Sequence, residues 1–384
     1  VTSRGSMDFV LAKYNPQGKL LWLQTAGGTK IDRGYGVAVD EAGNSYVTGH
    51  FQSPTFQIGD KTFKNHGDYD YFIAKYDPTG KLLWAESAGG KGYDYGHGIA
   101  VTPEGECYVA ATFAGAVTIG DSQSKHKQGS SMFVARYDTA GKMLWSQMAG
   151  NGRRQSGHQI AVDHQGNCYL CGLMTGIVEL AGQPMGTDTK QQDIFLAKLS
   201  PAGKFVWSAN SGGQANGLST GVAVDKSGNC YLTGMFKNEA KFGKTTLKSA
   251  GEYDIFVARI NADGTPGWAY SGGGKKIDYG LGIAVDQSGN CYVTGEFTDD
   301  VNFMGKHLTK LGGRDLFITR FSPEGKLDWL EMMGGDKSDL SYAIAVDDNN
   351  HCFVSGAFSP STQYQSHKLV SRGNNDIFLI KLSQ

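Results

Sequence analysis

The sequence predicts an all-β fold, a six-bladed β-propeller with four antiparallel strands in each blade. Three observations predict it. The six tryptophans recur every 61 or 62 residues, from Trp22 to Trp329. The phrase "VDQSGNCYVTGEF" (285–297) recurs in related form in each of the other five copies of this repeat. Each copy holds four short β-type segments, and no window has the sustained periodicity of an amphipathic helix. A β-solenoid would need much shorter coils than this repeat, so the propeller is favoured.

The elements of one repeat follow in a fixed order, illustrated by the fifth copy. A short apolar strand is followed by a turn in which Gly and Asn supply unusual backbone angles, and then by a second strand rich in β-branched and aromatic residues. A polar stretch comes next. It contains recurring hydrophobic residues, such as Phe56 and Phe63 in an earlier copy, which predict a small hairpin. Third and fourth strands complete the unit. In order, the strands are "IAVD" (283–286), "CYVTGEF" (291–297), "DLFITRF" (315–321) and "LDWLEMM" (327–333).

The number of blades follows from counting these segments. The first, second and fourth strands occur six times, and the third occurs seven times. We therefore expect one domain over residues 1–384, made of six blades with circular closure between its ends. The last blade, which begins with residues 343–358, would take at least its outer strand from residues 19–25. Its third strand would come from residues 8–14 or from residues 376–382.

Composition excludes some classes of partner. The chain has 36 basic and 37 acidic side chains, so no bulk charge attracts nucleic acid or an anionic membrane. No run approaches the roughly 18 apolar residues of a membrane span, so we expect no membrane insertion of this segment. The N-terminus has no signal-peptide pattern and matches the middle of a repeat, so we expect any targeting signal to be missing from this chain.

The repeated phrase resembles a known family. "GIAVDQSGNCYVTGEF", with "DIFVARI" upstream, resembles the bacterial SBBP β-propeller repeat, and its "IAVDxxGNxYV" core looks like the broader NHL-type propellers. The resemblance implies a secreted, periplasmic or cell-surface bacterial protein. It implies no particular activity, because the molecular function of that family is mostly unassigned.

Repetition also bears on the cysteines and tryptophans. One repeat position holds five of the six cysteines, namely Cys107, Cys168, Cys230, Cys291 and Cys352. Equivalent positions on different blades lie beyond disulfide reach, so we expect the thiols to act as small buried apolar residues. We expect each tryptophan, in the outermost strand, to pack between neighbouring blades.

A weak metal hypothesis rests on an acidic position ahead of the innermost strand. Four of six copies carry a carboxylate there, at Asp32, Asp94, Asp278 and Asp339. Each Asp would cap its own loop by accepting backbone N–H bonds. Alternatively, the carboxylates would line the mouth of the channel and hold calcium, although the usual Asp-x-Asp-x-Asp pattern is absent. Zinc would need a third ligand beside His97 and His158.

Candidate ligand-binding residues are those that depart from the repeat in the same loops, because packing does not dictate them. These residues are Arg33, Tyr95, His97, Arg153, Arg154, His158, Tyr279 and Tyr342. Rings, guanidinium groups and carboxylates on one face suit a protein or carbohydrate partner.

No catalytic motif is present, so no catalytic residue and no firm cofactor are predicted. The leading hypothesis is a non-catalytic binding or scaffolding propeller of the bacterial envelope or cell surface. One alternative is a metal-dependent lyase or hydrolase with its site at the channel mouth, for which His97, His158 and Asp94 are the candidates. Another is a structural segment of a longer surface adhesin.

Overall fold

A computed structural model describes residues 2–124, 126–212 and 214–382 of the protein. The strands of the first half are β1 (Phe9–Tyr14), β2 (Leu20–Gly27), β3 (Asp32–Val39), β4 (Ser45–Phe51), β5 (Thr55–Ile58), β6 (Lys61–Lys64), β7 (Asp70–Tyr76), β8 (Leu82–Ala88), β9 (Asp94–Val101), β10 (Cys107–Ala114), β11 (Val117–Ile119), β12 (Ser122–Ser124), β13 (Ser130–Tyr137), β14 (Met143–Ala149), β15 (Ser156–Val162), β16 (Cys168–Thr175), β17 (Val178–Leu180), β18 (Gln183–Met185), β19 (Gln192–Leu199) and β20 (Phe205–Asn210). The remaining strands are β21 (Leu218–Val224), β22 (Cys230–Phe236), β23 (Glu239–Phe242), β24 (Thr245–Lys248), β25 (Asp254–Ile260), β26 (Pro266–Gly273), β27 (Tyr279–Val285), β28 (Cys291–Phe297), β29 (Val301–Phe303), β30 (Lys306–Leu308), β31 (Asp315–Phe321), β32 (Leu327–Met333), β33 (Leu340–Val346), β34 (Cys352–Phe358), β35 (Ser361–Tyr364), β36 (His367–Val370) and β37 (Asp376–Leu382).

The complete blades are four-stranded antiparallel sheets, as predicted. Each complete blade runs inner, second, third and outer strand in sequence order, as in β3-β4-β7-β8 and β27-β28-β31-β32. In the complete blades, the second and third strands are buried on both faces, whereas the inner and outer strands are partly exposed. No helical segment among the described residues has the length and apolarity of a membrane span.

The predicted number of six blades is wrong, because the described residues form seven blades. The predicted circular closure is also wrong. Strands β1 and β2 pair with each other, with Phe9 opposite Ala26, and form a two-stranded first blade. Strand β37 pairs with β34 and completes a three-stranded last blade, so residues 19–25 do not serve as its outer strand. The physical reason is that a short turn joins β1 to β2, and closing it orders far less chain than pairing across the whole sequence.

The polar stretches between second and third strands fold as hairpins, and this prediction is confirmed. In the hairpin β5–β6, Phe56 lies opposite Phe63. Strand β5 also pairs with β2, and β29 likewise pairs with β26. A hairpin therefore extends the outer edge of the blade that precedes it.

The chain divides into two compact units. Unit 1 comprises Val1–Leu170, Ile177–Met185 and Lys198–Val206, and unit 2 comprises Cys171–Gly176, Gly186–Ala197 and Trp207–Gln384. Aromatic residues of successive blades fill each core. In unit 1, Phe9, Phe51, Phe56 and Phe72 belong to one cluster. In unit 2, a comparable cluster contains Tyr231, Phe297, Phe303 and Phe317.

The tryptophans lie on the outer strands, and they pack against the next blade as predicted. The Trp22 Nε1–H donates to the carbonyl of Pro78 at 2.9 Å, and the Trp268 Nε1–H donates to the carbonyl of Pro323 at 2.9 Å. A glycine in the same turn, such as Gly325, makes room for the ring. The outer strand of one blade is thereby tied to the third-to-fourth-strand turn of the next.

The repeated "VDxxGNxY" phrase is a self-contained turn. The Asp286 carboxylate accepts hydrogen bonds from the backbone N–H of Asn290 (2.9 Å), from its side-chain amide (2.8 Å) and from the Tyr292 hydroxyl (3.2 Å). Gly289 has a φ of +83°, which favours glycine. The cysteine that follows the turn, Cys291, is fully buried, and the same holds for its equivalents. All five are therefore packing residues, as predicted, and burial raises the pKa of the Cys107, Cys168, Cys291 and Cys352 thiols.

Candidate functional site

Asp32, Asp94 and Asp278, three of the four predicted metal-site aspartates, hold the loops that enter the inner strands. The carboxylate of Asp94 accepts hydrogen bonds from the backbone N–H groups of Gly90 (2.6 Å) and Ala114 (3.0 Å). Asp278 accepts equivalent bonds from Gly274 (2.8 Å) and Thr298 (3.0 Å). Asp32 binds the Gly28 N–H and the Ser53 hydroxyl in the same way. Each of these carboxylates therefore fastens the loop after one outer strand to the start of the next blade.

Burial makes Asp94, Asp278 and Asp339 weaker acids than exposed aspartates, because it raises the pKa of each. Asp94, Asp278 and Asp339 are fully buried, and burial raises the pKa of each to about 7. Backbone hydrogen bonds oppose the shift, and a second buried carboxyl nearby adds to it, as Asp70 does for Asp94. Among residues 2–124, 126–212 and 214–382, no group of three or more His, Cys, Asp or Glu side chains is placed to hold a metal ion. The carboxylate oxygens of Asp32, Asp94 and Asp278 that would bind calcium instead accept hydrogen bonds from backbone N–H groups.

A cluster of rings lies where the inner strands of the second, third and fourth blades begin. We call it the aromatic cluster, and its members are Tyr35, His50, Tyr69, Tyr93, Tyr95, His97 and His158, all in unit 1. His50 is nearly buried, and its ring centroid lies 4.7 Å from those of Tyr69 and Tyr95. The rings of His97 and His158 stack with their centroids 4.4 Å apart. The predicted pair of histidines on adjacent blades therefore makes direct contact.

The outer members of the cluster are open to solvent. Tyr35 is 51% exposed and Tyr93 is 50% exposed. The rings of Tyr93 and Tyr95 are nearly parallel, at an angle of 6° with centroids 6.2 Å apart. Tyr69 lies beside both, at 5.7 and 5.6 Å. Exposed tyrosine rings that pack against partly buried neighbours are held in place before any ligand binds.

The three histidines of the cluster are neutral at physiological pH. Burial and the nearby Arg33 guanidinium lower the pKa of His50 to about 4. Burial and Arg154 lower the pKa of His158 to about 4. The pKa of His97 is also well below its usual value, because the ring is desolvated and lies beside His158 and His50. The histidine rings beside the exposed tyrosines of the aromatic cluster are therefore uncharged.

Two arginines, Arg33 and Arg154, lie beside the aromatic cluster. Arg33 lies opposite His50 in the β3–β4 ladder, and its Nε lies 3.2 Å from the Met7 sulfur. Arg154 precedes β15 and lies close enough to lower the pKa of His158. Both side chains are exposed, and no ion pair among the described residues involves either.

The structure brings only some of the predicted residues together. Arg33, Tyr95, His97, Arg154 and His158 all belong to the cluster or to its flanks. Arg153 is exposed beside Arg154, and its backbone carbonyl accepts the Ser130 N–H at 2.8 Å.

The predicted residues of unit 2 have other surroundings. Tyr279 lies under the Arg314 guanidinium at 5.8 Å, and Arg314 binds the buried Glu296 carboxylate at 3.2 Å. Tyr342 is 58% exposed.

Sequence reasoning did not predict Tyr35, His50, Tyr69 and Tyr93 as binding residues. Tyr69 and Tyr93 form a parallel β-bridge immediately ahead of β7 and β9. They come from different repeat positions, so a comparison of equivalent positions does not group them. The available signal was local, because "DYDY" (68–71) and "GYDYGH" (92–97) concentrate aromatic residues at two strand entrances.

Comparison with known proteins supports the fold. The family model described as SBBP beta-propeller repeat matches residues 22–50, which include strands of the first two blades. The protein is a β-propeller repeat protein. The predicted resemblance to SBBP-type repeats is thereby confirmed.

Two curated relatives cover much of the chain. An uncharacterized WD repeat-containing protein, L264, from Acanthamoeba polyphaga mimivirus is 21% identical over 97% of this β-propeller repeat protein. The regulatory protein FlaEY of Caulobacter vibrioides is 25% identical over 76%. The chain spans about a third of the length of each of these relatives.

Among solved structures, a protein of unknown function from Bacteroides caccae is 12% identical. The match covers 85% of this chain and 94% of that one, with a TM-score of 0.43.

Proposed function

We propose that this β-propeller is a non-catalytic binding protein of the bacterial envelope or cell surface, which engages a glycan or a protein through the aromatic cluster. One observation carries the proposal: side chains that differ between the repeats gather in one place, as exposed tyrosines over neutral histidines. Large, rigid aromatic side chains contribute much contact area and lose little conformational entropy on binding. Packing within a blade does not require Tyr35 or Tyr93 at these positions, because half of each side chain faces solvent.

The test is binding by the intact protein to a glycan array and to proteins of a bacterial envelope fraction. Tyr93→Ala should weaken the interaction about tenfold, since one stacked aromatic side chain contributes roughly 1–2 kcal/mol. Tyr14→Ala is the matched control, because Tyr14 is another exposed tyrosine of unit 1, at 44% exposure, outside the cluster. Equal losses of affinity from the two substitutions would contradict the proposal. So would the absence of binding both to the glycan array and to the envelope proteins.

A metal-dependent lyase or hydrolase is the second candidate, and the contact between His97 and His158 is the observation that motivates it. Zinc or calcium bound stoichiometrically to the purified protein, and lost in His97→Ala and His158→Ala, would favour that function over binding alone. The third candidate, a structural segment of a longer surface adhesin, predicts that Tyr93→Ala changes no interaction at all.

A further inference from the structure

The chemistry around the aromatic cluster narrows the class of ligand. Tyrosine faces carry partial negative charge, and they attract the polarised C–H groups on the flat side of a pyranose ring. Tyr35, Tyr93 and Tyr95 offer such faces on two adjacent blades, with Tyr35 and Tyr93 half exposed. A row of separate rings suits a chain of sugars better than a single small molecule.

The flanking charges favour an anionic sugar over a neutral one. Arg33 lies at one side of the cluster, next to His50, and Arg154 lies at the other side, next to His158. A guanidinium group binds a carboxylate through two parallel hydrogen bonds. The protein as a whole has a net charge of −1, so this local excess of positive charge is not a consequence of composition.

The same charges argue against a cationic ligand, which aromatic cages also bind. The centre of the ring cluster is already filled by the neutral ring of His50, which is only 2% exposed. One carboxylate, Asp68, lies close enough to Tyr95 to contribute to raising its pKa to about 12, and it opposes an anion there. Arg33 and Arg154 lie near His50 and His158, where the acidic groups of a sugar chain would extend.

We propose that the aromatic cluster binds an acidic polysaccharide, with pyranose rings stacked on Tyr93 and Tyr35 and with sugar carboxylates paired to Arg33 and Arg154. This inference rests on the proposed binding function and names its ligand. The tyrosine rings contribute affinity for any pyranose, charged or neutral. The arginines favour uronic-acid residues over neutral hexoses.

The experiment is titration calorimetry of the intact protein with three probes: an oligogalacturonate, a neutral β-glucan oligosaccharide and a sulfated oligosaccharide. The oligogalacturonate should bind, and its affinity should fall with added salt, because exposed charge pairs are screened. Arg154→Gln and Arg33→Gln should each weaken it about fivefold, the factor that corresponds to ~1 kcal/mol. Arg372→Gln, at another exposed arginine, is the control and should change nothing.

The remaining variants separate the parts of the proposal. Tyr93→Ala should weaken the neutral and acidic sugars alike, whereas Asp68→Asn should strengthen only the acidic ones. A sulfated probe that binds as tightly as the uronate, with the same response to Arg154→Gln, would support charge recognition but overturn the preference for carboxylates.

Equal affinity for the neutral glucan, unaffected by either arginine substitution, would overturn the acidic ligand and leave the binding function standing. Binding of no sugar, together with Tyr93-dependent capture of an envelope protein, would do the same. Binding of neither would overturn both proposals. Near-ultraviolet circular dichroism checks the fold of each variant, and the substituted side chains are exposed.

Discussion

At the residue scale, the aspartates at the blade junctions have a structural role that the repeat makes visible. Asp94 and Asp278 occupy one repeat position, and each binds the N–H of a glycine four residues earlier. The two repeats without Asp hold Gln155 and Gly217 instead, and Gln155 binds Asn151 through its side-chain amide at 2.6 Å. A side chain at this position thus helps to hold the blade junction together. Its protonation state therefore affects the free energy of unfolding.

Asp278→Asn should change the pH dependence of stability. Burial raises the pKa of Asp278 to about 7 in the folded protein, above its unfolded value of about 4. The folded state therefore binds more protons between those values, so this group stabilises fully below pH ~4 and loses that contribution as the pH rises to ~7. Asn mimics the protonated carboxyl group, so the variant should gain roughly 1 kcal/mol per pH unit relative to wild type across this window.

The measurement is a set of denaturant midpoints from pH 5 to pH 8. Asp263→Asn is the control: Asp263 is exposed, and hydrogen bonds from Thr265 lower its pKa, so its stability difference from wild type should stay constant over this range. A constant difference for Asp278→Asn as well would show that the carboxyl group titrates normally.

At the element scale, neighbouring blades are linked by the outer-strand tryptophan and the turn of the following blade. The Trp268 ring lies against Gly325, where an added Cβ would come within 2.8 Å of the ring. The same turn accepts the indole N–H through the carbonyl of Pro323. Shape and hydrogen bonding therefore act together at one contact, and the contact recurs along the chain.

Gly325→Ala should be more destabilising than its backbone angle alone explains. Gly325 has a φ of +86°, and a side chain there costs about 1 kcal/mol. The clash with Trp268 should add ~1–3 kcal/mol, because a packed ring has no room to move. Gly305→Ala is the matched control, since its φ is +82° but no atom lies within 4 Å of the added Cβ. Equal denaturant midpoints for the two variants would show that the turn does not press on the ring.

Elements were the most predictable level from sequence, and the reason is physical. Every blade must bury the same strands, so Trp22 and its equivalents mark the outer strands by period alone. Strand pairing at the chain ends has no such constraint, because a strand nearby in the sequence competes with a distant one. The prediction of six blades with circular closure was wrong for this reason. In the candidate site, His97 and His158 were found through disagreement between copies, whereas His50 and Tyr93 gather only when different strand ends meet in the fold.

At the scale of the whole molecule, the two terminal blades are incomplete, and the first of them covers the blade that follows. Phe9 of the two-stranded first blade is 5% exposed, and its ring meets Phe72 edge-on with centroids 5.6 Å apart. It also covers Gly34, where no side chain would fit beneath it. We use the word cap for a unit that shields the next repeat from water. The burial of Phe9 against the second blade is what such a cap requires.

Phe9→Ala tests whether the first blade is a cap or a loosely attached hairpin. Removing a fully packed phenylalanine costs about 3–5 kcal/mol, through lost burial and the cavity left behind. Because Phe9 lies in one core cluster with Phe51 and Phe72, the loss should extend into the second blade and speed hydrogen exchange of the β4 and β7 amides. The adjacent Val10 is 50% exposed, so Val10→Ala should change stability by less than about 0.5 kcal/mol. If exchange in β4 and β7 were equally slow in both variants, the second blade would be stable without its neighbour, and the first blade would not be a cap.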